Sequence, residues 1–234
     1  MAKDFQTRSL KLERIDTGDY TPEEYDRFLA DIRLVNRFAG DNRALKKTLL
    51  SEIEREDLNE FSVLDVGAGS GELLRVIANF ARKGGRRAHL SGLELNARSA
   101  VSILEESADF DEIESVRGNA LELPFADKSF DYAICSLFTH HFKDENIARI
   151  LSEMSRVVRR KIFVIDLERH RIAYALYQIF CAAFRISRLV REDGSLSILR
   201  SFTPEELKIL GEKAGLENVS VEKHFPYRLV LRGS

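Results

Sequence analysis

The ten residues at positions 63–72, V-L-D-V-G-A-G-S-G-E, join an apolar strand to a glycine-rich turn and the start of a helix. The strand carries one carboxylate, Asp65, where a purely structural strand would place an apolar side chain. Gly67, Gly69 and Gly71 then allow a sharp turn and a close approach to a ligand, because no side chain stands in the way. An apolar helix pattern follows at once, so the segment predicts the strand–turn–helix unit that cradles nucleotide-like ligands.

The spacing of these glycines argues against a site for a nicotinamide dinucleotide. That fingerprint is G-x-G-x-x-G, in which the third glycine lets the helix pack against the strand. Here the third glycine comes one residue early, and Glu72 holds the expected position. Because a glutamate would repel a pyrophosphate, the turn indicates a ligand that lacks phosphates.

Strands and helices alternate along the rest of the chain. Apolar runs predict seven strands, at residues 61–66, 88–95, 114–119, 130–137, 161–166, 219–222 and 227–231. Helical patterns follow the first, second and fourth strands, and two T-P-E-E sequences predict helices that begin with a capping box. We therefore expect an α/β fold with a Rossmann-like, seven-stranded sheet. It should be mostly parallel, with an antiparallel C-terminal hairpin and helices on both faces.

The chain divides into two predicted parts with an apolar insert. Residues 1–57 should form an N-terminal arm and helices that cover the site, and residues 58–234 the ligand-binding domain, with the insert at about 168–200. Its stretch I-A-Y-A-L-Y-Q-I-F-C-A-A-F, which starts at Ile172, is too short to span a bilayer and too apolar for an ordinary surface helix. Two interpretations stay open: a lid over an aromatic or lipid-tailed ligand, or a core helix or dimer interface. Aromatic residues of the N-terminal part are expected to close the other side, namely Tyr20, Tyr25, Phe28 and Phe38.

The charge balance limits the class of partners. Lys and Arg number 36 against 38 Asp and Glu, so the chain lacks the basic surplus of nucleic-acid-binding domains. The N-terminal residues lack the apolar core of a signal peptide, and no uncharged apolar stretch reaches the roughly 18 residues that span a bilayer. We expect a cytoplasmic protein, a monomer or homodimer, that binds no nucleic acid and makes at most a peripheral membrane contact.

At the glycine turn the sequence resembles the class I S-adenosylmethionine-dependent methyltransferases, whose first motif has the form D-x-G-x-G-x-G. The resemblance implies S-adenosylmethionine as the cofactor, bound where the parallel strands end. Glu94 ends the second strand and can accept hydrogen bonds from the ribose hydroxyls. Asn119 can accept one from the adenine amino group, although a plain turn residue is the alternative. The expected cofactor contacts are Asp65, Gly67, Ala68, Gly69, Gly71, Glu94, Leu95, Asn119, Ala120, Leu121, Ser136 and Leu137.

Residues 118–142 read G-N-A-L-E-L-P-F-A-D-K-S-F-D-Y-A-I-C-S-L-F-T-H-H-F. They resemble the ubiquinone/menaquinone-biosynthesis-like (type 11) small-molecule methyltransferases, and the likeness covers about residues 61–166. Asn119 stands where that family usually has Asp, and Arg159-Arg160-Lys161 replaces its Lys-Pro-Gly-Gly turn. The resemblance implies in-line methyl transfer, O-directed, to a hydrophobic small molecule such as a phenol, quinol or enol of polyketide or prenyl-lipid type.

An oxygen acceptor needs a base, and three histidines are candidates. His140 and His141 follow the fourth strand and His170 follows the fifth, all at the edge where the ligand should lie. No metal is expected, because Asp131 lies at the opposite end of the fourth strand and Asp166 has no evident partner carboxylate.

Other functions remain as alternatives. The same fold could serve a C- or N-methyltransferase with another acceptor class, or a non-catalytic module that binds S-adenosylmethionine. Methylation of nucleic acid bases is disfavoured, because no N-P-P-Y-like segment follows the fourth strand.

Overall fold

The computed structural model of the chain describes residues 4–234, and the side chains at positions 25, 26, 29, 33, 37 and 39 lie outside the description. Tyr25, one of the aromatic residues expected to close the pocket, is therefore outside the described side chains. Among the helices described, none combines the length and the apolar character needed to cross a membrane.

Seven described strands form one sheet in the order β3-β2-β1-β4-β5-β7-β6. The strands are β1 (Glu60–Val66), β2 (Arg87–Glu94), β3 (Ile113–Arg117), β4 (Phe130–Ser136), β5 (Val158–Leu167), β6 (Ser220–His224) and β7 (Arg228–Gly233). Strands β1 to β5 run parallel to one another, whereas β7 is antiparallel to both of its neighbours, β5 and β6. The predicted sheet, mostly parallel with an antiparallel C-terminal hairpin, is confirmed.

The helices fall between these strands as their patterns predict. They are α1 (Arg14–Thr17), α2 (Pro22–Ala39), α3 (Asp41–Leu45), α4 (Ser51–Arg55), α5 (Glu72–Lys83), α6 (Ala97–Glu106), α7 (Asp144–Val157), α8 (Arg171–Ala183), α9 (Arg188–Arg200) and α10 (Pro204–Lys213). Both predicted capping boxes are present, at Thr21 with Glu24 and at Thr203 with Glu206. A π-helical turn, Lys46–Leu50, lies between α3 and α4, so positions 41–55 do not form one regular α-helix.

Helices cover both faces of the sheet because each buries one apolar stripe. On one face, the α3–α4 segment and α5 pack on the strands through residues such as Leu49, Leu74 and Ile77. On the other face, α7 and α10 contribute Ile150 and Leu207. The carboxyl edge of the central strands stays available for a ligand.

The N-terminal arm is tied to the loop that follows β5 and to the end of α9. The buried Arg169 guanidinium donates hydrogen bonds to the carbonyls of Phe5 and Gln6, at 3.1 Å each. Arg200, also buried, donates to the carbonyl of Lys11 at 2.9 Å. Because buried guanidinium groups need acceptors, these bonds fix the arm over the edge of the sheet where the site lies.

Candidate functional site

The glycine turn follows β1 at the carboxyl edge of the sheet. Gly67 has a φ of +75°, and a Cβ there would lie 2.5 Å from the Phe138 ring, so both backbone and packing require glycine. Gly69 has a φ of +59°, yet a Cβ there would meet no described atom within 4 Å. The turn therefore leaves open space directly against the backbone at Gly69, which is where a ligand can approach.

A cavity of about 260 Å³, called here the donor cavity, lies beside this turn. Six of the predicted cofactor contacts line it, namely Asp65, Gly67, Ala68, Gly69, Ser136 and Leu137. Asn36, Asp41 and Asn42 line it as well, and sequence reasoning missed all three. No local pattern could have found them, because only the packing of α2 and α3 over the sheet brings them to the turn.

Asn42 presents an unsatisfied acceptor beside the donor cavity. Its amide nitrogen donates to a Glu72 carboxylate oxygen at 3.1 Å, which orients the side chain. Its Oδ1 is buried and has no hydrogen-bond partner among the described residues. Buried acceptors are normally paired, so this atom suits a ligand that brings an N–H donor.

Two carboxyl groups set the charge around the glycine turn: Asp65 lines the donor cavity, whereas Glu94 is not among its lining residues and bonds to the turn instead. Burial, together with the nearby charge of Glu94, raises the pKa of Asp65 to about 8. Burial also raises the pKa of Glu94, although hydrogen bonds from backbone N–H groups oppose the shift. One of these bonds runs from the Gly69 N–H to Glu94 Oε1, at 2.7 Å. A cationic ligand would favour the ionised form of both groups.

The remaining predicted cofactor residues lie where β2 and β3 end. Asn119 Oδ1 accepts a hydrogen bond from the Leu121 N–H at 3.0 Å, so this side chain shapes a turn. A carbonyl oxygen has two lone pairs, which leaves one for a ligand. Ala120 is buried and Leu95 is exposed. These four residues and Glu94 share the edge of the sheet with the turn but are not among those that line the donor cavity, and neither is Gly71, which precedes α5.

A second cavity, of about 470 Å³, adjoins the first, and Asn36 and Leu137 line both. We call it the acceptor cavity. Leu137 has a φ of +50°, a left-handed conformation that is uncommon for a leucine and typical of functional positions. The apolar wall comprises Ile15, Phe28, Ile32, Val35, Phe38, Leu137, Leu167, Ala173, Leu176, Tyr177, Phe180, Ile198 and Tyr227. Its volume and its apolar walls suit a drug-sized hydrophobic ligand.

The insert contributes to this wall, as the lid interpretation expects. Ala173, Leu176, Tyr177 and Phe180 of α8 line the acceptor cavity. Phe28 and Phe38 line it from the N-terminal side, whereas Tyr20 is not among the lining residues.

His140 lines the acceptor cavity and forms a buried pair with Asp166. His140 Nδ1 lies 2.7 Å from Asp166 Oδ1, and the Thr139 hydroxyl donates to Asp166 Oδ2 at 2.6 Å. Burial alone would raise the pKa of Asp166, but the positive charge and hydrogen bonds of His140, with that of Thr139, lower the pKa to about 2. Asp166 therefore stays ionised and orients the His140 ring.

The partner of Asp166 corrects an expectation drawn from the sequence. Asp166 was considered only as a metal ligand in search of a second carboxylate, whereas its partner is an imidazole. β4 and β5 are adjacent and in register at Ser136 and Ile165, so the residues just beyond them meet. A signal existed in the sequence, since His140 follows β4 and Asp166 lies near the end of the neighbouring parallel strand β5.

His141 and Glu13 stand beside this pair. His141 Nδ1 lies 3.5 Å from Asp16 Oδ2 and 4.0 Å from Glu13 Oε1. Burial raises the pKa of Glu13, while the charge of His141 and a hydrogen bond from Ser197 oppose the shift. Glu13 belongs to the arm, and sequence reasoning gave it no role.

Glu13, His140 and His141 could also be considered as metal ligands, since their donor atoms lie within 4.8 Å of one another. Donors bound to one zinc ion would sit about 3.5 Å apart, because each lies roughly 2 Å from the ion. The Arg200 guanidinium, 3.6 Å from Asp16 Oδ2, adds positive charge beside them. The donor spacing and this positive charge are unfavourable to a metal cation, and the trio was not foreseen from the sequence.

His170 occupies a different environment from the other two histidines. Its Nδ1 accepts a hydrogen bond from the Ile172 N–H at 3.1 Å, so it caps α8, and its ring stacks on Tyr227. It is not among the residues that line the acceptor cavity. The structure brings His140 and His141 to that cavity and gives His170 a role in helix capping.

A sheet of order 3-2-1-4-5-7-6 with a glycine turn after β1 defines the class I methyltransferase fold. A solved S-adenosylmethionine-dependent methyltransferase from Aquifex aeolicus is similar in fold, with a TM-score of 0.57 and 16% sequence identity. The similarity covers 78% of this chain and 87% of that chain.

Sequence comparisons narrow the family. Residues 63–161 match the family described as methyltransferase domain. A demethylmenaquinone methyltransferase from Bacillus licheniformis is 30% identical over 176 residues, which cover 68% of this chain and 71% of the relative. One from Bacillus velezensis is 32% identical over 171 residues, covering 67% and 71%. The chain belongs to the S-adenosylmethionine-dependent methyltransferases of the menaquinone and ubiquinone type. It is an enzyme whose cofactor is S-adenosylmethionine.

Proposed function

We propose that this enzyme methylates a hydrophobic small molecule with an acidic hydroxyl group, such as a quinol, phenol or enol, on that oxygen. The observation that carries the proposal is the buried His140–Asp166 pair, whose histidine lines an apolar cavity that meets the donor cavity at Leu137. His140 is the proposed general base, and His141, beside Asp16, is the second candidate.

S-adenosylmethionine, when bound, supplies an electrophilic methyl group on a sulfonium centre. We assign its ribose to Glu94 and its adenine to Asn119 and Ala120, at the ends of β2 and β3. Asp65 and the free Oδ1 of Asn42 would face its ammonium group from the donor cavity. The other proposed contacts are Gly67, Ala68, Gly69, Gly71, Leu95, Leu121, Ser136 and Leu137. The open backbone at Gly69 and the unpaired Asn42 oxygen are the observations that fit the cofactor to this place.

The chain's own residues then act on the acceptor. Asp166 engages Nδ1 of His140, so Nε2 is the ring nitrogen that can take the hydroxyl proton. The Asp166 carboxylate stabilises the imidazolium that forms. The apolar walls hold the acceptor ring against the junction at Leu137, and alignment of this kind supplies much of the rate for an already electrophilic donor.

The acceptor class draws support from the walls of the cavity and from the relatives, whose name specifies a quinone. Deprotonation of a quinol also places negative charge on the neighbouring ring carbons. Carbon methylation of the same deprotonated ring is therefore the second candidate, and it requires the same base.

Methyl-labelled S-adenosylmethionine and a chemically reduced naphthoquinol without a tail would test the proposal. We expect a product with one added methyl group, whose carbon NMR signal identifies a methoxy group. A ring-methyl signal would select the second candidate. Failure to methylate quinols, phenols and enols, with cofactor binding intact, would contradict the proposed acceptor class.

The affinity for S-adenosylmethionine should depend on pH through Asp65. The pKa of about 8 means that Asp65 is mostly protonated at neutral pH in the free protein. The cofactor carries a net positive charge, so it binds the ionised form of Asp65 better. The affinity should therefore rise from pH 6 to 8, by no more than about tenfold per pH unit, and level off above about pH 8. Calorimetry across this range measures the effect. In Asp65→Asn the affinity should not rise with pH. An equally steep rise in that variant would show that Asp65 is not the cause.

A further inference from the structure

The solvent-facing side of α8 is apolar along its whole length. Its three most exposed large residues are Ile172, Leu176 and Ile179, at 52%, 50% and 64%. Small apolar residues, Ala175, Ala182 and Ala183, fill the rest of this side. A surface helix normally places polar residues toward water, so this face calls for a partner that removes it from water.

The apolar face is continuous with the mouth of the acceptor cavity. Leu176 belongs to both, and the neighbouring Phe180 lines the cavity. The rings of Phe38 and Phe184, each about half exposed, pack together with Phe180, with centroid separations of 4.6–6.1 Å. Whatever covers this face therefore also contacts the entrance through which a hydrophobic acceptor would pass.

Positive charge flanks the face at both ends. Arg171 precedes the apolar stretch and Arg185 follows it. Arg188 and Arg191 come next, but the Arg188 guanidinium is already paired with Glu192, at 2.6 Å. No Asp or Glu occurs from Arg171 to Arg191 in the sequence. An apolar helix face with a cationic border is typical of helices that lie in the interface of an anionic membrane.

A bilayer fits these features better than a second copy of the chain. In a symmetric antiparallel packing of two α8 helices, the arginine at one end would face the arginine at the other end of the copy. The like charges would repel each other there, whereas anionic headgroups would neutralise both ends.

We propose that the exposed face of α8 docks this enzyme onto the surface of an anionic bilayer, so that a lipid-tailed acceptor moves from the membrane into the acceptor cavity. This inference rests on the proposed function, with an acceptor that carries a lipid tail, since a water-soluble acceptor would need no such docking.

Vesicle co-sedimentation tests the docking surface. Wild-type protein should bind vesicles of phosphatidylcholine mixed equally with phosphatidylglycerol, and bind pure phosphatidylcholine less. Ile179→Glu should weaken the binding by about tenfold or more, because it removes a large apolar contact and adds a negative charge. The matched control is Leu104→Glu on α6, which packs on β2 and β3; Leu104 is 50% exposed, against 64% for Ile179. This control should bind like wild type.

Three results would overturn the docking proposal. They are no binding by wild type, equal losses in both variants, or a solution dimer that Ile179→Glu dissociates while vesicles bind neither protein. Methyl transfer to the tail-less naphthoquinol in solution needs no membrane, so it tests the proposed function separately from the docking. Ile179 is not among the cavity-lining residues, so Ile179→Glu should keep that activity. Absence of transfer in wild type, with vesicle binding retained, would instead count against the proposed acceptor.

Discussion

Replacing His140 by asparagine should lower kcat by about 10²–10⁴-fold, the usual contribution of a positioned general base. Asparagine can still donate a hydrogen bond toward Asp166, so the buried carboxylate is not left bare. The affinity for S-adenosylmethionine should stay unchanged, because His140 lines the acceptor cavity and not the donor cavity. Single-turnover methyl transfer to a quinol, with calorimetry of cofactor binding, measures both quantities.

Two further variants make the assignment of the base specific. Asp166→Asn keeps the shape of the pair but removes the charge that orients His140, so its kcat should fall to a similar extent. His170→Ala should keep most of its turnover once folding is verified, because His170 caps α8 outside the cavity. Wild-type kcat in His140→Asn, combined with a large loss in His141→Ala, would transfer the role of base to His141.

Glu94→Ala should weaken the binding of S-adenosylmethionine by about 1–3 kcal/mol, or roughly 5- to 150-fold in Kd. The carboxylate is the proposed acceptor for the ribose hydroxyls, and it also accepts the Gly69 N–H at 2.7 Å. The variant therefore loses ligand contacts and a bond that shapes the glycine turn. Calorimetric titration with the cofactor and with its demethylated product measures the change.

The control for this prediction is Glu105→Ala, which removes the same charge from an exposed position on α6. Its affinity should match wild type, which would exclude a general effect of net charge. Wild-type affinity in Glu94→Ala would exclude Glu94 from the cofactor site and leave its bond to Gly69 as a structural one.

Local patterns account for most of the secondary structure. The capping boxes at Thr21 and Thr203 begin their helices as predicted, because the bonds involved join residues three positions apart. The π-helical turn at Lys46–Leu50 was not predicted, since a helical apolar period does not distinguish it from the α-helix around it.

The two cavities depend on contacts between distant parts of the chain. Asn42 reaches Glu72 from 30 positions away, and Arg169 holds Phe5 across 164. Hydrophobic periodicity tells which face of an element is buried but not which loop lies over it. The cavity-lining residues between positions 13 and 42 could therefore not be predicted from the sequence, except for the aromatic residues Phe28 and Phe38.

The sequence by itself determined the sheet, the glycine turn and the family, because strand periodicity and glycine backbone freedom act over a few residues. It also placed His140 and Asp166 at the same edge. Only the tertiary structure decided that these two side chains pair, that Glu13 lies beside His141 from the arm, and that His170 is not among the residues that line the acceptor cavity. The physical reason is that a hydrogen bond between side chains needs both partners within about 3 Å, and the register of separate elements sets that distance.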